Sequence, residues 1–143
     1  MLGVGLFLAC YFPQRQAKAA FFDRCMELAG QYSAAPFVLA GDLNTGNQRA
    51  DRCQMAAKFF CSGHFDLLSS VGGLKDLWRL TNGSTREWSW RSNKGKGFRI
   101  DHAFGNDSFV AITTPICTYD HGARDIGLTD HSAVVVRLNE VGG

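Results

Sequence analysis

Two short apolar runs bracketing one helix-periodic segment restrict the fold of this chain more than any other feature. Residues 3–11 (GVGLFLACY) are apolar and stop before Pro13, and Phe37–Ala40 closes on Gly41-Asp42. Runs this short, bounded by Gly or Pro, predict buried strands. Between them Phe21, Phe22, Cys25, Met26, Leu28 and Ala29 recur at helical spacing over residues 16–32, with Gly30 near the stop. Strand, helix, strand predicts an α/β architecture. Lys18 and Arg24 read most simply as the solvated face of that helix.

Downstream, residues 51–60 resume a helical pattern and 74–80 add a short helical turn. Residues 86–91 and 98–104 alternate as strands around the turn-forming stretch 93–97, which predicts a hairpin. Residues 108–118 and the β-branched stretch 132–138 read as further strands.

At 143 residues the chain fits one domain, residues 1–143, and shows no linker or repeat. A formal charge of +2 permits a polyanionic partner without demanding one. Five cysteines without a CxxC pair predict free thiols in a reducing cytosol. The apolar start lacks a positive leader and is too short to span a bilayer, so it reads as a strand. A strand at the first residue raises the expectation that sequence upstream belongs to the same domain.

The polar residues fall at the predicted strand boundaries. Asp42 and Asn44 follow one strand, Asp101 lies in a second, and Asp130-His131 precede a third. Strand ends hold side chains rigidly at a sheet edge, where α/β proteins build sites. Taken singly, each fragment is also ordinary turn composition. Together they carry the groups that hydrolysis of a phosphodiester needs: a base for water, a neutral donor, a hard metal ligand and an imidazole. Asp101 could accept the hydrogen bond that fixes the tautomer of His131.

The ordered pieces Tyr11-Phe-Pro13, Gly41–Thr45 (GDLNT), Asp76–Arg79 (DLWR), Trp88–Arg91 (WSWR), Gly97–His102 (GFRIDH) and Gly127–Ser132 (GLTDHS) make the pattern specific. With them, the chain resembles the endonuclease/exonuclease/phosphatase superfamily, and within it the bacterial group similar to exonuclease III and apurinic/apyrimidinic endonucleases. The resemblance runs from residue 11 to 132. It implies half of a four-layer α/β-sandwich of the deoxyribonuclease-like type, with a mostly antiparallel or mixed sheet and flanking helices. It implies Asp42 as the base, Asn44 as transition-state stabiliser, Asp101 as the holder of His131, and His131 and Tyr11 against the phosphate. Asp130, with Asp42 and Asn44, would ligand Mg²⁺ or Mn²⁺.

Family members also carry an N-terminal half with an Asn and a metal-binding Glu, for which residues 1–10 offer no counterpart. The chain is therefore expected to be a C-terminal portion, with an exposed apolar sheet face able to associate with a second copy, and to be impaired as an enzyme alone. Arg86, Trp88, Trp90, Arg91, Lys94, Lys96, Phe98 and Arg99 gather cations and rings in the hairpin, which reads as a DNA-binding loop or, alternatively, as a solvated hairpin with inward Trp residues. His121 reads equally as a substrate contact or a surface turn, and His64 and His102 as structural. The leading expectation is a DNA endonuclease or exonuclease. The alternatives are a phosphatase or phosphodiesterase acting on a small molecule or lipid headgroup, and a non-catalytic nucleic-acid-binding half-domain.

Overall fold

In the computed structural model, which describes residues 4–139, β1 (Leu6–Tyr11) lies parallel to β2 (Phe37–Asp42). A parallel pair needs a long crossover. Here a 3-10 turn (Arg15–Lys18) and helix α1 (Ala19–Gln31) supply it. Strand β6 (Asp101–Gly105) runs antiparallel to β2, and the two-residue β3 (Lys75–Asp76) pairs with β6, giving the mixed order β1-β2-β6-β3.

Side-chain alternation splits this sheet into two packed faces. On one face Leu6, Leu8, Phe37, Leu39 and Phe104 meet Phe22, Cys25 and Ala29 of α1, with Phe65 and Leu68 of α2 (Ser62–Ser70). On the other, Val38 and Ala103 meet Leu77 and Trp78 of α3 (Leu77–Asn82) and Phe109 of α4 (Asp107–Thr113). The same cluster takes in Cys117 of β7 (Ile116–Asp120) and Val134 and Val136 of β8 (Ala133–Arg137). Strands β7 and β8 form an antiparallel hairpin with the four-residue α5 (Gly122–Asp125) in its connection. The result is the mixed α/β arrangement with flanking helices that the sequence predicts. Phe7 and Tyr11 pair with Val38 and Asp42 and share their face, yet are 66% and 76% exposed. All five cysteines are free. Among the described residues no helix is long and apolar enough to cross a membrane.

Four expectations about local structure need correction. Residues 51–60 contain no helix. Their backbone is pinned elsewhere: Cys53 N–H donates to Gly97 O, and the Gln48 side chain both donates to Phe59 O and accepts from Phe59 N–H. These tertiary bonds outweigh a weak periodicity, and the helix starts only at Ser62. Residues 108–118 are not one strand. Asn106 caps α4 by accepting from Phe109 N–H, and the helix ends where Thr114 turns left-handed at φ 40°, so β7 starts at Ile116. The hairpin shrinks to β4 (Trp90–Arg91) against β5 (Gly97–Phe98). Ser89 Oγ then accepts from Ile100 and Asp101 N–H where the chain passes into the main sheet. Finally, Lys18 is not solvated but buried, at 1% exposure.

Candidate active site

Register places the first acidic pair. Asp42, the last residue of β2, is the direct cross-strand partner of Asp101, the first of β6, and Tyr11 of β1 pairs with Asp42 on the other side. Cross-strand partners share a face with Cβ atoms about 5 Å apart, so Tyr11, Asp42 and Asp101 form a row at the sheet edge. Gly41 permits this ending: its φ is +143°, and a Cβ there would strike the Cys10 carbonyl oxygen.

His131 is brought to the row by the loop before β8, which bonds to β4. Trp90 bridges His131, Arg91 N–H donates to Asp130 O at 3.1 Å, and Ser132 N–H donates to Ser89 O at 2.7 Å. His131 Nδ1 then lies 2.9 Å from Asp101 Oδ2 and 3.2 Å from Oδ1. A carboxylate only accepts, so this contact puts the proton on Nδ1 and turns Nε2 outward. Single ligand atoms of Asp42, Asp101 and His131 lie within 4.8 Å of one another. Asp130 stands at the rim, with Oδ2 accepting from Trp90 Nε1 at 2.7 Å and Oδ1 3.9 Å from His131 Nε2.

Asn44 is held from several sides in a left-handed conformation at φ 51°. Its N–H donates to Asp42 Oδ1 (2.8 Å) and its Nδ2 to Phe12 O (2.7 Å), while its Oδ1 accepts from Gln14 Nε2 (2.7 Å). Together Tyr11, Lys18, Asp42, Asn44, Asp130 and His131 line a cavity of about 410 Å³ whose other wall is Phe59, Phe60, Trp90, Phe98 and Ile100. Polar groups converge at one end and rings form the other.

Electrostatics set Asp42 and His131 apart. Burial pushes the Asp42 carboxyl up to about 6; the Asn44 N–H opposes the rise and the Asp101 charge adds to it. Burial alone would lower the His131 imidazole, but its hydrogen bond to Asp101 and the charges of Asp101, Asp42 and Asp130 raise it above the ordinary value. A carboxylate this costly to ionise, with Lys18 and His131 offsetting only part of that cost, fits a divalent ion, and the oxygen donors of Asp42, Asn44 and Asp130 on one cavity suit a hard one.

Several sequence expectations land differently. Arg99 does not line this cavity. It is 1% exposed and bound to Asp51 and Asp76, because a guanidinium placed between a buried and a half-buried carboxylate is satisfied inside. Trp88 lies against Gly97, where a Cβ would collide with its ring, and is not on the cavity. His121 is tied to Ser132 Oγ at 2.6 Å and to Glu87 at 3.5 Å. Arg91 lines a neighbouring depression that shares Asp130, and Lys94 and Lys96 are exposed on the turn. A larger depression of about 770 Å³ surrounds Asp51, Asp76, Arg79 and Arg99, but those charges are paired with each other. Gln14, Lys18 and Phe59 escaped the sequence reading. Lys18 was findable, since it precedes Phe22, Cys25 and Ala29 at i+4, i+7 and i+11, on the buried stripe.

A mixed sheet between helices and a second β layer, with carboxylates and a carboxylate-bound histidine at one edge, defines an α/β fold of the deoxyribonuclease type. Residues 27–131 match the model of the Endonuclease/Exonuclease/phosphatase family, and the chain belongs to that family. No curated protein matches it. Solved structures similar to it include a 3'-5' exonuclease (NExo) from Neisseria meningitidis, at 22% identity over 87% of this chain and 52% of that one, with TM-score 0.72. A 3' phosphatase NExo from Neisseria bound to product DNA hairpin matches at 21% identity, 84% and 52% coverage and TM-score 0.70. An AP endonuclease from Archaeoglobus fulgidus matches at 16% identity, 94% and 61% coverage and TM-score 0.79. The chain thus spans about half the length of these relatives.

Proposed function

We propose that this chain carries the catalytic edge of a metal-dependent phosphodiester hydrolase acting on DNA, as the C-terminal portion of a longer domain. The observation that carries the reading is the Asp101–His131 hydrogen bond at 2.9 Å beside the in-register carboxylate of Asp42. A base near neutral pH works best when its pKa approaches that pH, and Asp42 at about 6 meets that condition. In this reading Asp42 orients a water and takes its proton, and Asn44 presents its remaining amide N–H to the phosphoryl oxygen. His131, protonated on Nδ1 against Asp101, addresses the phosphate through Nε2. Tyr11 closes the cavity rim. Asp42, Asn44 and Asp130 would hold Mg²⁺ or Mn²⁺, which when bound supplies charge neutralisation at the phosphate. The ring wall of Phe59, Trp90 and Phe98 gives the adjoining sugar or base a flat apolar surface. A cytosolic role in DNA repair is consistent with the free thiols and with the DNA product in the Neisseria structure.

The direct test is cleavage of an abasic duplex or supercoiled plasmid with Mg²⁺. His131→Ala is expected to lose about a hundredfold or more; equal cleavage by both proteins would mean a contaminant and end the reading. The small-ester alternative separates on the hairpin. Replacing both Lys94 and Lys96 with Gln is expected to lower the log–log salt slope of DNA binding by about 2 and leave hydrolysis of a small phosphodiester unchanged. An unchanged slope would favour the small substrate.

A further inference from the structure

We propose that Lys18 is a positioning residue of this site, and that its buried ammonium holds Asn44 in the left-handed turn that aims the Asn44 amide into the cavity. The proposal rests on the reading of Asn44 as a site residue.

The position is a poor place for a charge. Lys18 ends the 3-10 turn at 1% exposure, on the stripe that continues through Phe22, Cys25 and Ala29. Desolvation there lowers its pKa, partly offset by the nearby Cys61 and Asp42. An apolar side chain of similar volume would carry no charge to desolvate and would give up only the one hydrogen bond to Asn44 O. Fold stability therefore does not account for the lysine. Its contact does: Nζ donates to Asn44 O at 2.8 Å.

Asn44 needs that help. Its left-handed backbone is uncommon for a residue with a side chain, and the turn between Asp42 and Thr45 must be fixed if the amide is to stay in place. Three of its hydrogen bonds come from one seven-residue segment: Phe12 O, Gln14 Nε2 and Lys18 Nζ. Phe12 and Gln14 grip the side chain and set which end is NH₂. Lys18 is the one that grips the backbone carbonyl, so it governs the turn itself. The 3-10 start of the crossover thus connects the end of β1 to the loop after β2, and Lys18 is its anchor.

The experiment is ¹H–¹⁵N NMR on the full 143-residue chain, wild type against Lys18→Met and Lys18→Arg. The wild-type ammonium of Lys18 should exchange slowly enough to be seen, unlike those of exposed Lys58, Lys75, Lys94 and Lys96, and show coupling to the Asn44 carbonyl carbon. Lys18→Met should keep or raise the thermal midpoint while moving the Asn44 backbone and side-chain amide resonances, and Lys18→Arg should bring them part of the way back. Mg²⁺ titration of the same spectra should show half-saturation at about tenfold higher concentration in Lys18→Met, the usual scale for losing an outer-shell partner. Asn44 resonances unmoved in Lys18→Met would overturn the proposal, as would a loss of stability with no change at Asn44. Should Lys18→Met fail to fold, the wild-type coupling decides: its absence is fatal. A wild-type chain that shows the coupling but neither binds Mg²⁺ nor cleaves DNA would sustain the Lys18–Asn44 link while sinking the hydrolase reading.

Discussion

Replacing Asp51 with alanine is expected to lower stability by about 3–5 kcal/mol, enough to leave the chain largely unfolded if its total lies at the low end of the roughly 5–15 kcal/mol common for such domains. Asp51 is fully buried. Its Oδ1 accepts from Arg99 Nε at 2.7 Å and Arg79 at 2.6 Å, and its Oδ2 accepts from Asn47 N–H at 2.8 Å. Arg99 also binds Asp76, the N-cap of α3, and its guanidinium lies 5.2 Å from the Trp78 ring. The network therefore ties the 47–51 loop, β3, α3 and the link between β5 and β6 together across the edge of the sheet. Removing Asp51 leaves a buried cation half-compensated, which costs more than the pair ever contributed. The double variant Asp51→Ala/Arg99→Met should recover part of the loss in a urea titration. If Asp51→Ala moved the midpoint by less than about 1 kcal/mol equivalent, water must screen the network and its role as the fold's polar anchor would be wrong.

Acid should find the same network and its neighbour at different pH. Burial is the largest single influence and works to raise Asp51, but the Arg99 and His102 charges and the hydrogen bonds from Arg99 and Asn47 N–H together outweigh it, and the net shift is downward. A depressed carboxyl contributes stability above its unfolded value near 3.8, lost as pH falls through the lower folded value. His102 behaves otherwise: burial and Arg99 push it down to about 4, so its contribution is complete above about 6.5 and drains away between there and 4.

How much of this was legible in the sequence depends on which force decides each element. β1, α1 and β2 were readable because periodicity and burial agree there, and the boundary residues Asp42, Asp101 and His131 follow from where strands end. The helix wrongly read over 51–60 shows the opposite case. Nothing local to that stretch reveals that Gln48 will clasp Phe59 or that Asp51 will be claimed by Arg99, 48 residues away. The stretch from 108 to 118 misled through its β-branched residues, although Asn106-Asp107 was a visible helix start. Arg99 looked like a DNA contact because a cation in a basic hairpin normally faces water. Only the fold shows that β5 hands the chain to β6 at that point, turning Arg99 inward. The cavity's ring wall was half legible: Trp90 and Phe98 lie in the hairpin, whereas Phe59 arrives on a loop whose course is set by tertiary bonds.

Asp42→Asn should make the metal-free chain more stable at pH 7 while abolishing cleavage, and the two effects have one cause. The Asp42 carboxyl is pushed up to about 6 from an ordinary 3.8, chiefly by burial. A raised carboxyl binds its proton more tightly in the folded state, so stability falls as pH rises from about 4 to 6 and stays lost above. Two units correspond to about 3 kcal/mol; water at the cavity mouth reduces this to about 1–2 kcal/mol. Asparagine keeps the shape and can still accept the Asn44 N–H, but carries no charge to desolvate, so the variant should lack the decline between pH 4 and 6. It also cannot take a proton from water, and cleavage should drop by about 10²–10⁴. Mg²⁺ provides the decisive arm. A cation that binds only the folded state stabilises by mass action, so it should raise the wild-type midpoint toward that of the variant and leave the variant where it was. An Asp42→Asn protein less stable than wild type at pH 7 without cation would mean that the carboxylate is already compensated from within. Asp42 would then be a structural acceptor for the Asn44 turn, with no unmet charge for a metal or a water to answer.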